Sequence, residues 1–213
     1  MAKFINGANG TFSGKVGSVI GSSWRGINYL RGLGKKSKVP TTELQRLQRD
    51  RFSALVKFIA PLKELLDKGF AGRNLKLATA FSYAVKHNMD MGAVTLTAPI
   101  ELNYPAIQLS DGGLFRPRGV TTDLTADTLT ISWNANEYEF NGKANDVAHV
   151  LVYNVNQDLF FTPDTPADRQ AGVATASLED METGDVGHIW MFFTSLDGKK
   201  ISRTTYVGSI NFL

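Results

Sequence analysis

Val186-Gly-His-Ile-Trp-Met-Phe-Phe-Thr194 is an apolar run that closes, three residues on, at the turn pair Asp197-Gly198, and this alternation of run and break decides the fold class of the chain's second half. Runs of the same kind recur at residues 94–96, 106–109, 129–133, 147–155, 173–178 and 201–207. Further breaks fall at Ser110-Asp111-Gly112-Gly113 and Asn141-Gly142. Short strands at this spacing, punctuated by Gly, Asn and Asp, predict an antiparallel β-sandwich or barrel over residues 91–213.

Upstream of this β region the period changes. After Pro40-Thr41-Thr42, Thr42 is placed as a helix N-cap with Gln45 three residues on, a capping-box pattern. Leu44, Leu47, Phe52, Leu55, Ile59, Leu62 and Leu66 then recur mostly three or four apart. Pro61 should kink or divide this helix, and Gly69 should stop it. A second helix is expected from about Asn74 to His87, with Leu75, Ala78, Phe81 and Val85 on one face. Residues 40–90 therefore read as a helical hairpin, and His87 as a cation at a helix C-terminus.

Residues 1–39 are different again. Eight of the chain's 20 glycines fall before residue 35. Gly7, Gly10, Gly14, Gly17 and Gly21 step by three and four, which on a helix would form a seam for close backbone approach. At about 0.8–1 kcal/mol per helical glycine, that seam needs a compensating partner. The rival reading makes a β-hairpin of residues 15–20 and 23–30, turning at Gly21-Ser22 as a glycine-first two-residue loop. A lone hairpin is marginal in water, so this basic Gly-rich arm needs a surface to lie on. Phe4, Phe12, Trp24 and Tyr29 are interleaved with its cations, as anchors to a core or partner or as a stacking platform beside a basic groove.

Charge is just as uneven. Residues 1–51 carry ten Lys or Arg against two acids, a net of +8, and the remaining residues carry 13 against 18, a net of −5. A basic front and an acidic rear can bind polyanions or join copies front to back.

Several chemistries lose their residues. Cysteine is absent, which removes disulfides, thiolate catalysis and cysteine-held metals. Gly10-Thr-Phe-Ser-Gly14-Lys15-Val16 falls short of a phosphate loop, with one residue too few between the glycines and Val16 where the Mg²⁺-binding hydroxyl belongs. The histidines, His87, His149 and His188, are scattered and show no His-Glu-x-x-His pattern, so they read as core or edge residues. Glu179, Asp180, Glu182 and Asp185 read as a solvated turn, and the loop aspartates follow no calcium-loop spacing. No catalytic, cofactor or metal residue is assigned, and the chain is expected not to be an enzyme. No run reaches the roughly 7–15 uninterrupted apolar residues of a signal peptide or the ~18 of a membrane span. The expectation is a chain without an integral membrane segment, cytoplasmic or released by a non-classical or phage-like route.

Two resemblances follow. Leu129-Thr-Ile-Ser-Trp133, His149-Val-Leu-Val-Tyr153 and His188-Ile-Trp-Met-Phe-Phe193, followed by Asp197-Gly198 and Ser202, resemble the B, C, F and G strands of a fibronectin type III module over residues 105–210. That resemblance makes Trp133 the buried core tryptophan. It lacks a tyrosine corner, because Gly187 and His188 stand ahead of the F strand. The front motif Phe12-Ser-Gly-Lys-Val-Gly-Ser-Val-Ile-Gly-Ser-Ser-Trp-Arg-Gly26, with Ala80-Phe-Ser-Tyr-Ala-Val85, Ile131-Ser-Trp133 and Val152-Tyr-Asn154, resembles an uncharacterised family of small bacterial proteins with no assigned activity. It implies one architectural unit from end to end and carries over no catalytic residue, cofactor or partner.

The fold expected is α+β: a basic Gly-rich arm (1–39), a helical hairpin (40–90) and an Ig-like or fibronectin type III-like sandwich (91–213). The function expected is structural self-association, as in subunits of filaments, appendages or phage-like particles. Phe12, Gly14, Lys15, Gly17, Gly21, Trp24, Arg25, Gly26 and Tyr29 are the expected interaction residues and copies of the same chain the partners. The alternative is nucleic-acid binding through the basic segment.

Overall fold

Pro61 and Gly69 shape the helical region for different reasons. The computed structural model describes residues 2–3, 12–35, 39–73, 75, 78–125, 128–135, 140–163, 165–178 and 181–212, and the chain divides into two compact units, Met1–Glu43 and Leu44–Leu213. Helix α1 (Glu43–Ile59) starts directly after Thr42. It gives way at Pro61 to a single 3₁₀ turn, Ala60–Leu62, and then to α2 (Lys63–Gly69), so the proline divides the helix as expected. The buried stripe is narrower than the spacing suggests. It runs through Leu55, Phe58, Ile59, Leu62 and Leu66, while Leu44 and Phe52 are 74% and 52% exposed.

Gly69 ends α2 without a left-handed cap. A methyl group on it would lie 2.1 Å from the Leu109 carbonyl oxygen, so the small residue permits a close crossing of two backbones. The Asp111 N–H donates to the Gly69 carbonyl at 3.1 Å across the same crossing. Gly69→Ala is expected to lower stability by about 1–3 kcal/mol. The check is a shifted urea midpoint at constant slope.

Helix α3 (Ala80–Asp90) begins six residues later than the apolar spacing suggests. Thr79 caps it, its hydroxyl accepting the Ser82 N–H at 3.1 Å. Ala80, Ala84, Val85 and Asn88 form its buried face, and Phe81 is half-buried. Of the expected earlier start, Asn74, Lys76 and Leu77 lie outside the described residues.

Two antiparallel sheets complete the second unit. Strands β5 (Thr121–Thr125), β6 (Thr128–Ser132) and β10 (Val173–Ser177) form one, in the order β10-β6-β5. Strands β7 (Val147–Asn154), β8 (Leu159–Phe161), β9 (Ala167–Asp168), β11 (Val186–Thr194) and β12 (Thr205–Asn211) form the other, in the order β12-β11-β7-β8 with β9 also on β7. The fold is thus α+β. The runs at 94–96 and 106–109 are not strands: Val94 makes one isolated bridge to Leu102, and Tyr104–Ala106 is a 3₁₀ turn containing Pro105. Side chains take up the backbone that a ladder would have used, the Gln108 N–H donating to Asn88 and the Leu109 and Ser110 N–H groups to Thr204.

The unbroken apolar run in β11 follows from burial on both sides. Successive strand residues face opposite ways. Trp190 and Phe192, with Leu151 and Tyr153 of β7, join a core with Leu55, Phe58, Ile59 and Leu66 of the helices. Ile189, Met191 and Phe193, with Val150 and Val152, join a second core with Leu129, Ile131, Trp133 and Ala174. Phe58 meets the Tyr153 ring edge-on at 4.9 Å in the first core, and Trp133 meets Phe193 edge-on at 6.0 Å in the second.

Candidate interaction surface

The expected interaction residues all lie in the first unit, a four-stranded antiparallel sheet. Strands β1 (Ala2–Lys3), β2 (Gly14–Val16), β3 (Val19–Trp24) and β4 (Ile27–Gly32) are ordered β1-β4-β3-β2. Two tight turns build it. Val16 pairs with Val19 around Gly17-Ser18, with Gly17 at φ +59°, so a glycine comes first as a II′-type loop requires. Trp24 pairs with Ile27 around Arg25-Gly26, at φ +46° and +78°, the two positive values of a I′ turn. The expected turn at Gly21-Ser22 is therefore corrected, since both residues run through the middle of β3. The helical glycine seam is not adopted either at Gly14, Gly17 or Gly21. Gly7, Gly10, Phe4, Lys36 and Lys38 lie outside the described residues.

Gly21 has a long-range task instead. It pairs with Gly14 on one side and Leu30 on the other, and Phe12 crosses directly over it. A Cβ at position 21 would lie 2.4 Å from the Phe12 carbonyl oxygen and 2.7 Å from its ring. Any side chain there would lift Phe12 off the sheet.

Cross-strand partners share a face, so the register assigns both sides. Lys15, Ile20, Ser22, Trp24, Ile27, Tyr29 and Arg31 project from one side, and Lys3 occupies the register position opposite Tyr29. Val16, Val19, Gly21 and Leu30, with Phe12 above them, occupy the other. Arg25 lies 5.8 Å from the Trp24 ring. Ile20 and Arg31 complete the basic aromatic face and were not singled out in the sequence, although their alternation with Trp24 and Tyr29 was readable once the turn was placed at Arg25-Gly26.

Among its described residues this sheet has almost no interior. Among residues 12–35 only Gly21 is buried, while Val16, Trp24, Leu33 and Phe12 are 62%, 50%, 47% and 39% exposed. Residues 1–43 carry seven Lys or Arg against one acid, a net of +6, leaving 16 against 19, a net of −3, in residues 44–213.

The three histidines are built into the packing of the second unit. His149 stacks on Phe192 at 4.9 Å and shares a 2.9 Å hydrogen bond with Thr194, and burial holds its pKa down at about 4. His188 stacks on Tyr104 at 4.0 Å and bonds the Tyr206 hydroxyl at 2.8 Å, and burial lowers its pKa too. His87, in the last turn of α3, stacks on Tyr83 at 5.9 Å and meets Phe70 edge-on at 6.0 Å. It stands in the last turn as the expected partner of the helix dipole, and burial lowers its pKa. In the acidic turn, Asp185 is buried and accepts the Asn154 amide at 2.6 Å and the Glu182 N–H at 3.2 Å, while Glu179 and Asp180 lie outside the described residues. Among the described residues no group of three or more His, Asp or Glu is placed to hold a metal, and no helix is long and apolar enough to cross a membrane.

A comparison with curated proteins returned no match. A family model does match, over residues 11–208, a span that takes in the glycine turns, Trp24 and Tyr29 with Lys15 and Arg31, helices α1 to α3 and strands β2 to β11. By that coverage the chain belongs to DUF6266, a family of unknown function.

Proposed function

We propose that this protein is a non-enzymatic structural subunit that associates with copies of itself through its N-terminal sheet. The observation that carries the reading is how little of the sheet is buried among its described residues. Among residues 12–35 only Gly21 is buried, and apolar side chains such as Val16 and Leu33 stay largely exposed, whereas a sheet normally gains its stability by burying one face against another layer. A second copy supplies that layer, and the +6 and −3 charges of the two units favour a front-to-rear contact. A contact of that kind is heterologous and extends into rings or filaments.

The second unit we read as an Ig-like sandwich of fibronectin type III type. In support, β5, β6 and β10 take the A, B and E places of one sheet, and β7, β11 and β12 the C, F and G places of the other. Trp133 at the end of β6, 5% exposed, takes the place of the core tryptophan.

The test is sedimentation of the full-length chain over a concentration series at low and moderate salt, beside the Trp24→Ser/Tyr29→Ser and Lys15→Glu/Arg31→Glu variants. Species larger than one chain are expected for the unaltered protein, shrinking with salt and lost in both variants. A single-chain mass at every concentration would overturn the proposal. A second reading rests on Trp24 and Tyr29 sharing a face with Lys15 and Arg31, the arrangement of a single-strand stacking platform. It requires oligonucleotide binding that weakens steeply with salt and is lost in the charge-reversed variant.

A further inference from the structure

The second unit is acidic overall, yet it opens one hollow of about 760 Å³ whose charged lining is entirely arginine. That volume is in the range of about 300–1,000 Å³ typical of small-molecule sites. Arg116, Arg118 and Arg203 line it together with Phe115, Phe140 and Asn141. Arg203 has a carboxylate neighbour, Asp111, at 3.8 Å. Arg116 and Arg118 are exposed and, among the described residues, have no carboxylate within ion-pair distance.

The aromatic half is as unusual. Phe140 is 87% exposed and sits at φ +53°, a backbone region that a bulky side chain seldom enters. Its ring lies 5.0 Å from that of Phe115, tilted by 32°, and its other side is open to solvent. An apolar ring held outward by an unfavourable backbone conformation points to a function for the ring itself.

The wall behind these groups is rigidly built. The Phe115 N–H donates to Asn141 Oδ1 at 2.8 Å, and the Asn141 amide donates back to the Gly113 carbonyl at 2.8 Å. The Phe115 carbonyl accepts Nη2 of the buried Arg169 at 2.7 Å. On the far side, the Leu114 N–H donates to the Ile201 carbonyl at 2.9 Å. Segments distant in sequence are thus tied together behind the hollow, so the backbone that carries the arginines is in place before any ligand arrives.

We propose that this hollow binds a nucleotide, its phosphate held by Arg116, Arg118 and Arg203 and its base laid on the open face of Phe140. Guanidinium forks match the oxygens of a phosphate, and a flat base matches an exposed ring that offers a π face and no hydrogen-bonding group. A free mononucleotide and the phosphorylated end of a single strand present the same chemistry.

Calorimetric titration of the full chain with adenosine 5′-monophosphate, adenosine, inorganic phosphate and a 5′-phosphorylated single-stranded oligonucleotide tests the proposal and separates the sources. Phe140→Ala and Arg116→Gln/Arg118→Gln change only exposed side chains, so folding is retained and is checked by the thermal midpoint. The monophosphate is expected to bind more tightly than adenosine or phosphate alone, and each variant to weaken it at least tenfold. Phosphate binding should fall only in the arginine variant. Tighter binding of the oligonucleotide, lost in the same variants, assigns a strand end; binding of the monophosphate alone assigns a free nucleotide. The proposal is overturned if neither nucleotide probe binds, or if both variants bind them as the unaltered protein does. Binding to the N-terminal sheet would survive both substitutions and is told apart in that way.

Discussion

Asp146→Ala is expected to cost the protein about 3–5 kcal/mol, a large share of the roughly 5–15 kcal/mol by which a domain is stable. The carboxylate of Asp146 and the guanidinium of Arg169 are almost wholly buried and pair at 3.0 Å. Arg169 is tied into the fold at several points. Its Nη2 bonds the Phe115 carbonyl, its guanidinium lies 3.9 Å from the centre of the Phe193 ring, and its own carbonyl accepts the Trp133 indole N–H at 3.0 Å. Its backbone N–H donates to the Asp146 carbonyl at 2.7 Å. Truncating Asp146 leaves a full charge in the interior that cannot turn to water without breaking these bonds. The pair's net worth is a separate quantity, because burying both ions carries its own desolvation cost. Asp146→Leu combined with Arg169→Met is therefore expected to be less destabilised than Asp146→Ala alone, and urea unfolding of the two variants reads the difference. Equal losses in the single and the double variant would mean that packing volume, rather than an orphaned charge, sets the cost.

The same pair marks the limit of what could be read in the chain beforehand. Asp146 was only one of several loop aspartates, and nothing in its neighbourhood announces Arg169, 23 positions on. Local signals were legible. The boundary at Thr42, the break at Pro61 and the runs that became β6, β7, β10 and β11 all rest on periodicity or punctuation within a few residues. Where the cause lies far along the chain, reading failed. Gly21 looked like a turn because glycine permits turns, but it is required where Phe12 crosses the strand. Residues 106–109 looked like a strand, but Asn88 and Thr204 take the hydrogen bonds that would have built a ladder. Strand β5 was invisible for the opposite reason: it is an edge strand of mostly exposed residues, with Leu124 half-buried, and lacks an apolar run. The expected interaction residues do gather on one sheet, because they sit close together in sequence. The arginine hollow was not anticipated, since Phe140 reaches Arg116 only through the fold.

Acidification from pH 7 to 4 is expected to remove about 3 kcal/mol of stability through His149 alone. Its ring packs flat against Phe192 and bonds Thr194 at a partly buried position on β7. Protonation there would put a charge where water is scarce and Lys68 already repels it, and the native pKa falls from 6.5 to about 4. Because the native value is depressed, the native state favours the neutral ring. The stabilisation is complete above pH 6.5, where both states are neutral, and is lost as pH falls through 6.5 towards 4, where the unfolded chain takes up a proton that the folded one refuses. His87 and His188 shift in the same direction from burial, so they deepen the loss rather than offset it. Carboxylates also contribute in this window, and a parallel variant removes them from the comparison. His149→Gln should be less stable at pH 7, having lost the stack on Phe192. Its stability should nevertheless fall less steeply between pH 6 and 4.5, by up to about 1.4 kcal/mol per pH unit, the slope of one proton. Urea midpoints at pH 7, 6, 5 and 4.5 give both slopes. Parallel slopes would show that His149 takes up its proton in the folded chain as readily as in the unfolded one.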